Sequence, residues 1–252
     1  MSDHAFVQQQ QLDYYRAIAD EYGIDEYSEH VEAISYTIAF LRALGARSVL
    51  DTGCGTGFAM RHLAAAIPGL SLRGNDPSSD LLRVAHDRYG IDRGLLDCAS
   101  SESLPYDDGA FDAVVETGML HHVPEPARVI AEMLRVARLA VFISDENTYG
   151  IGSPAKRLLK LALSRTGYLG AALKLSRGGH EWYSTPGDAI AWRYSVFDSR
   201  KQLAEVCPTV IVLPTGRQRL RDACPVLGAS HCLVAAFKAP FADLVGRTAA
   251  SA

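Results

Sequence analysis

The sequence has no C-x-x-C pair, no run of 18 apolar residues and no overall excess of positive charge. Its five cysteines (Cys54, Cys98, Cys207, Cys224 and Cys232) are odd in number and scattered. That pattern argues against a disulfide framework and a structural zinc site, and it fits a reducing cytoplasm. With no apolar run of membrane length, and no basic start followed by an apolar core, neither a membrane span nor a signal peptide is expected. The 25 Lys and Arg against 29 Asp and Glu give a formal charge of -4, which indicates no nucleic-acid partner. What is present is ordinary for a single soluble domain: 252 residues, 48% apolar and 21% charged.

The charge is unevenly placed. Residues 1–147 carry 11 basic and 23 acidic side chains, a balance of -12, whereas 148–252 carry 14 and 6, a balance of +8. The two parts are suited to different surroundings.

Val31, Ile34, Ile38, Leu41 and Leu44 recur at helical spacing before Gly45, which supplies a stop. From Ser48 onward short apolar runs alternate with amphipathic ones. Strands are expected at 48–51, 71–75, 94–98, 112–116 and 140–144, and helices at about 58–66, 79–88 and 125–137. Adjacent apolar residues such as Val114-Val115 need both faces covered, the situation of a parallel sheet between helix layers. The fold class is therefore α/β, a doubly wound, mostly parallel sheet, with two more strands at 209–214 and 231–238 making seven. Residues 148–197 break the rhythm at the carboxyl end of the fifth strand, where open α/β sheets place their ligands, and are read as an insertion forming a lid. The first few residues and the tail after Pro240 read as disorder-prone ends.

Val49-Leu50-Asp51-Thr52-Gly53-Cys54-Gly55-Thr56-Gly57 is a strand running into three alternate glycines and then a helix. Alternate glycines let a ligand pack on the main chain, and the helix start offers N–H groups to an anion. The G-x-G-x-G spacing differs from the dinucleotide G-x-G-x-x-G, and Asp51 would repel a pyrophosphate but suit an ammonium group. Asp76, ending the second strand, is placed to accept two ribose hydroxyls. Capping roles explain Asp51 and Asp76 individually. An adenosine with a zwitterionic tail satisfies both.

These motifs resemble the class I S-adenosylmethionine-dependent methyltransferases of the type 11 group, similar to the small-molecule and ubiquinone/menaquinone enzymes. VLDTGCGTG matches the family's first motif, Gly74-Asn75-Asp76-Pro77-Ser78 its ribose motif, and Ser100-Ser101-Glu102-Ser103-Leu104-Pro105-Tyr106 its adenine-side segment. Phe111-Asp112-Ala113-Val114-Val115 and Leu120-His121-His122-Val123-Pro124 continue the match. One departure is visible: Arg135-Val136-Ala137-Arg138-Leu139-Ala140 lacks the family's K-P-G-G turn before the fifth strand.

The resemblance implies S-adenosyl-L-methionine as cofactor, S-adenosyl-L-homocysteine as product and no metal. It assigns Asp51, Gly53, Gly55, Gly57, Asp76, Ser101, Glu102 and Glu116 to cofactor binding. Tyr15 and Tyr22 join them through a resembled amino-terminal aromatic segment, although their seven-residue spacing equally suits core packing. The chain then divides into amino-terminal helices (1–45), a cofactor-binding core (46–147), the insertion (148–197), a return to the sheet (198–239) and a tail (240–252).

Acceptor chemistry is read from the residues after the fourth strand. Glu116-Thr117-Gly118-Met119 is no Asn-Pro-Pro-Tyr-like tetrad, so nucleic-acid and protein amide acceptors lose ground. His121 and His122 are the catalytic candidates, because a neutral imidazole is a natural base for a hydroxyl, although such a pair recurs in the resembled group whatever the acceptor. A small-molecule hydroxyl acceptor is expected. The alternatives are C- or N-methylation of a lipid, quinone or carrier-bound acceptor at a membrane surface, and a non-catalytic adenosyl-binding module. No acidic residue occurs between Asn147 and His180, where six basic residues alternate with leucines. The segment 153–177 therefore reads either as a membrane-surface contact or as a lid packing its leucines on the core. The oligomeric state is left open.

Overall fold

Seven of the apolar runs assemble into one sheet, and the rest of the chain covers its faces. The structure, a computed structural model, describes residues 3–23, 28–184, 189–216 and 223–249. Helices α1 (Asp3–Ile18) and α2 (Ser28–Leu44) lead into β1 (Ser48–Thr52), α3 (Phe58–Ala66), β2 (Ser71–Asp76), α4 (Ser79–Asp87), β3 (Leu96–Cys98), β4 (Phe111–Thr117), α5 (Pro126–Val136) and β5 (Ala137–Glu146). The insertion holds α6 (Pro154–Arg165), α7 (Leu169–Ser176) and an antiparallel pair, β6 (Trp182–Ser184) with β7 (Ile190–Trp192). Its residues 185–188 lie outside the described residues. The chain returns through α8 (Val196–Val206), β8 (Thr209–Thr215), α9 (Pro225–Gly228), β9 (His231–Phe237) and α10 (Phe241–Ala249).

The strand order is β3-β2-β1-β4-β5-β9-β8; the first five are parallel, and β9 runs antiparallel to both β5 and β8. The order reverses between β1 and β4, and open sheets of this kind hold ligands at that switch point, outside the carboxyl ends of the strands. Successive strand residues point to opposite faces. Leu50 and Val114 therefore enter one apolar cluster with Ile130, Met133 and Leu203, while Val49 and Val115 enter the other with Leu41, Leu63 and Phe142. Two buried faces are what the adjacent apolar residues require.

Four local features differ from the sequence reading. The run expected as a strand over 94–98 opens with a 3-10 turn, Arg93–Leu95, because Asp92 accepts the Gly94 N–H at 2.9 Å. The missing K-P-G-G turn has no substitute: α5 passes directly into β5 at Ala137, whose N–H still donates to Met133 while its φ and ψ are already extended. The stretch after the insertion contains α8, whose Ser195 side chain accepts the Phe197 N–H. The tail forms α10, with Leu244 buried against the sheet. No described helix is long and apolar enough to cross a membrane.

Candidate functional site

The loop after β1 carries Gly53, Gly55 and Gly57 at φ of 67°, 52° and 81°, a region that side chains with a Cβ rarely adopt. They do different work. A Cβ on Gly57 would lie 2.1 Å from Ile91 Cδ1, so this glycine lets α3 close on its neighbour and stands apart from the cavity. Gly53 borders the cavity but presses against Met119, 2.6 Å from a Cβ built there. Gly55 borders the cavity with only Tyr22 and Leu81 nearby, at 3.8 and 4.0 Å.

Asp76 ends β2 beside this loop. Its Oδ2 accepts the Gly55 N–H at 2.9 Å and its Oδ1 the Ser78 N–H at 2.8 Å. Burial raises its pKa to about 6, against the pull of these two N–H groups. At neutral pH it is mostly ionised, and each oxygen keeps a lone pair for a hydroxyl donor. Ser101 is fixed across the cavity by hydrogen bonds from Thr52 Oγ1 (2.8 Å) and Asn75 Nδ2 (3.2 Å), with Glu102 next to it on the wall. Tyr15 and Tyr22 meet edge to face at 5.4 Å. They pack with Ala19, Leu81 and Val84 and also line the cavity.

Leu12, Met119, His122, Val123, Pro124 and Trp192 also line the cavity. His122 Nδ1 lies 2.8 Å from the Ile190 carbonyl oxygen. Because a carbonyl can only accept, Nδ1 carries the proton and Nε2 carries the lone pair. No Lys or Arg is among the described residues lining this cavity, and its carboxylates are Asp76 and Glu102.

Residues 50–140 match the model of the methyltransferase domain. The matched segment runs from β1 into β5 and is similar to that domain over a little more than a third of the chain. The chain is 31% identical over 157 residues to a ubiquinone biosynthesis O-methyltransferase of Methylococcus capsulatus, covering 60% of this chain and 62% of that one. It is 38% identical over 94 residues to a methyltransferase of Streptomyces halstedii, covering 36% and 34%. The chain thus spans between about a third and three fifths of the length of such curated relatives. In fold it is similar to the 1,6-didemethyltoxoflavin N1-methyltransferase of Burkholderia thailandensis, solved with its acceptor and S-adenosylhomocysteine, at a TM-score of 0.59 and 16% identity over 95% of this chain and 92% of that one.

Besides Gly57, three expected site residues lie off the cavity. Asp51 is buried in β1 below the glycine loop, with the Met60 N–H drawn to its carboxyl and Oδ2 without a hydrogen-bond partner among the described residues. Burial, aided by the nearby Asp76 charge, raises its pKa to about 8. Glu116 is fully buried at the end of β4; Oε1 accepts the N–H groups of Met119 and Leu120, shaping the turn that carries the histidines. Its pKa is pushed well up by burial and then by the Asp145 charge. His121 points away from the cavity into Asp145, with Nδ1 and Oδ1 2.7 Å apart. Burial alone would raise the Asp145 carboxyl, but the charge and hydrogen bond of His121 outweigh it and hold it low. Of the two adjacent histidines, then, one is paired with Asp145 and one lines the cavity.

Sequence reasoning missed Gln8, Gln11 and Leu12 of α1 as cavity residues. The signal was present: 8, 11, 12 and 15 are an i, i+3, i+4, i+7 stripe on one helix face. The insertion adds Trp192 to the cavity lining.

Proposed function

We propose that the protein is an S-adenosylmethionine-dependent methyltransferase acting on a small-molecule acceptor, with a hydroxyl as the favoured acceptor group. The observation that carries this reading is the Gly55–Asp76 hydrogen bond. It joins a backbone stretch without a Cβ to an ionised carboxylate in a cavity that His122 also lines. Vicinal ribose hydroxyls fit Asp76, and the buried, partnerless Oδ2 of Asp51 fits an ammonium group near the loop. A wall with carboxylates and no described Lys or Arg suits a cationic ligand. A fold neighbour that binds S-adenosylhomocysteine supports the same cofactor.

When bound, S-adenosylmethionine supplies a methyl group on a positively charged sulfur, open to in-line displacement. The chain contributes alignment, exclusion of water and a place for the acceptor's proton. Tyr15, Tyr22 and the face of α1 shield the cavity, and His122, with its lone pair on Nε2, takes the proton of a hydroxyl. Leu12, Val123, Pro124 and Trp192 offer apolar walls. That lining also supports the second reading, C- or N-methylation of an apolar quinone or lipid.

Calorimetric titration with S-adenosylmethionine, S-adenosylhomocysteine and NAD tests the cofactor, on wild type and on Asp76→Ala. Binding of both adenosyl ligands, weakened by the substitution and absent for NAD, is expected. Transfer of a labelled methyl group to a panel of phenols and quinols then tests the reaction. Binding of NAD alone overturns the assignment, and adenosyl binding without transfer to any acceptor leaves the non-catalytic module.

A further inference from the structure

Helix α6 is built inside out. Arg157, Lys160, Leu161 and Ser164 form an i, i+3, i+4, i+7 stripe that faces the protein. Lys160 Nζ donates to the Thr148 and Ile151 carbonyls at 2.9 and 3.1 Å, Arg157 to those of Gly152 and Leu227 at 2.6 and 2.9 Å, and Ser164 Oγ meets the Tyr149 hydroxyl at 2.7 Å. The complementary stripe, Ala155, Leu158, Leu159 and Ala162, is exposed. Leu158 and Leu159 are 57% and 59% accessible, and Tyr168 and Leu175 on the following turn and helix reach 68% and 83%. Seven large apolar residues are exposed among the described residues, and five of them lie between 151 and 175, which marks a contact surface and not random scatter. The expected lid that packs its leucines inward is therefore not what α6 does: no residue of α6 is buried.

We propose that the outward face of residues 151–175 docks on an anionic lipid bilayer. Charge selects this occupant. Lys156 and Arg165 flank the apolar stripe and are exposed, and no acidic residue occurs from 148 to 180. A two-fold contact with a second copy would bring the same basic segment against itself, whereas an anionic surface attracts it while the leucines enter the headgroup boundary. Arg157 and Lys160 serve as anchors of the helix, so the cations available to lipid are Lys156 and Arg165, with Lys174 shared with Glu181 at 3.1 Å. The inference stands independently of the methyl-transfer reading.

Co-sedimentation of the full chain with phosphatidylcholine vesicles, with and without phosphatidylglycerol, tests it. Wild type is expected to pellet only with the anionic vesicles and to be released by salt. Leu158→Ser/Leu159→Ser and Lys156→Glu/Arg165→Glu each lower partitioning by about tenfold or more. Both leave the Arg157 and Lys160 anchors in place, and unchanged circular dichroism confirms their fold. The proposal is overturned if wild type fails to pellet, pellets equally without phosphatidylglycerol, or if either double variant binds like wild type. It is equally overturned if wild type self-associates and Leu158→Ser/Leu159→Ser abolishes this, because the face then belongs to a second copy.

Discussion

His122 donates its Nδ1 proton to the carbonyl oxygen of Ile190 at 2.8 Å, so the first residue of β7 sets the tautomer of a ring 68 positions earlier in the chain. The insertion therefore orients the imidazole that lines the cavity. Adjacent His121, 4.0 Å away between ring centroids, is held from the other side by Asp145 at the end of β5. The pair is split, one ring bonded to the insertion and lining the cavity and one locked into the sheet.

That division predicts opposite consequences for two neighbouring substitutions. His122→Phe keeps an aromatic ring beside Tyr15 and removes the base; kcat for a hydroxyl acceptor should fall by about 10²–10⁴ with S-adenosylhomocysteine affinity nearly unchanged. His121→Phe removes the buried partner of the Asp145 carboxylate, and destabilisation of about 3–5 kcal/mol in urea unfolding is expected. Equal turnover by wild type and His122→Phe, at saturating acceptor, would remove His122 as the base.

The glycines divide similarly. Gly55→Ala adds a methyl group in open space beside Tyr22, at a backbone cost of about 1–2 kcal/mol. Because the methyl points into the cavity, adenosyl affinity should drop at least tenfold while the protein remains folded. Gly57→Ala drives the methyl into Ile91, so the fold loses stability by about 1–3 kcal/mol beyond the backbone term. Paired thermal melts and calorimetric titrations separate the two, and a larger affinity loss in Gly57→Ala than in Gly55→Ala would contradict this placement.

The sheet was legible because its signals are local. Val114-Val115 and Val141-Phe142-Ile143 declare strands covered on two sides, and the glycine loop declares the turn at the switch point. Asp76, Ser101 and Tyr15 follow from motif order and do reach the cavity. What the sequence hides is direction. His121 and His122 are chemically identical until Asp145 and the Ile190 carbonyl, both far along the chain, pull them apart. The basic residues of α6 resemble a solvated face until carbonyls of flanking loops are seen to claim two of them, which turns the leucines outward. Long-range hydrogen bonds decide both cases, and no periodicity encodes them.

Asp51 offers a test by proton counting. With its pKa raised to about 8, chiefly by burial, the folded, ligand-free protein keeps a proton that an unfolded chain, with the ordinary value of 3.8, has released. Between those two values the folded state binds more protons, so stability falls as pH rises from about 4 through about 8. Asp51→Asn removes the titration, and its melting temperature should decline less over that window than that of wild type. An ammonium group beside Asp51 reverses the preference by favouring the carboxylate. Binding of S-adenosylhomocysteine at pH 7 should therefore release up to about one proton. Titrations in buffers of different ionisation enthalpy measure that number directly. Asp76, at about 6, is mostly ionised at this pH and contributes little. Asp51→Asn should bind more weakly and release almost no proton; an undiminished proton release in the variant would place the ammonium partner elsewhere.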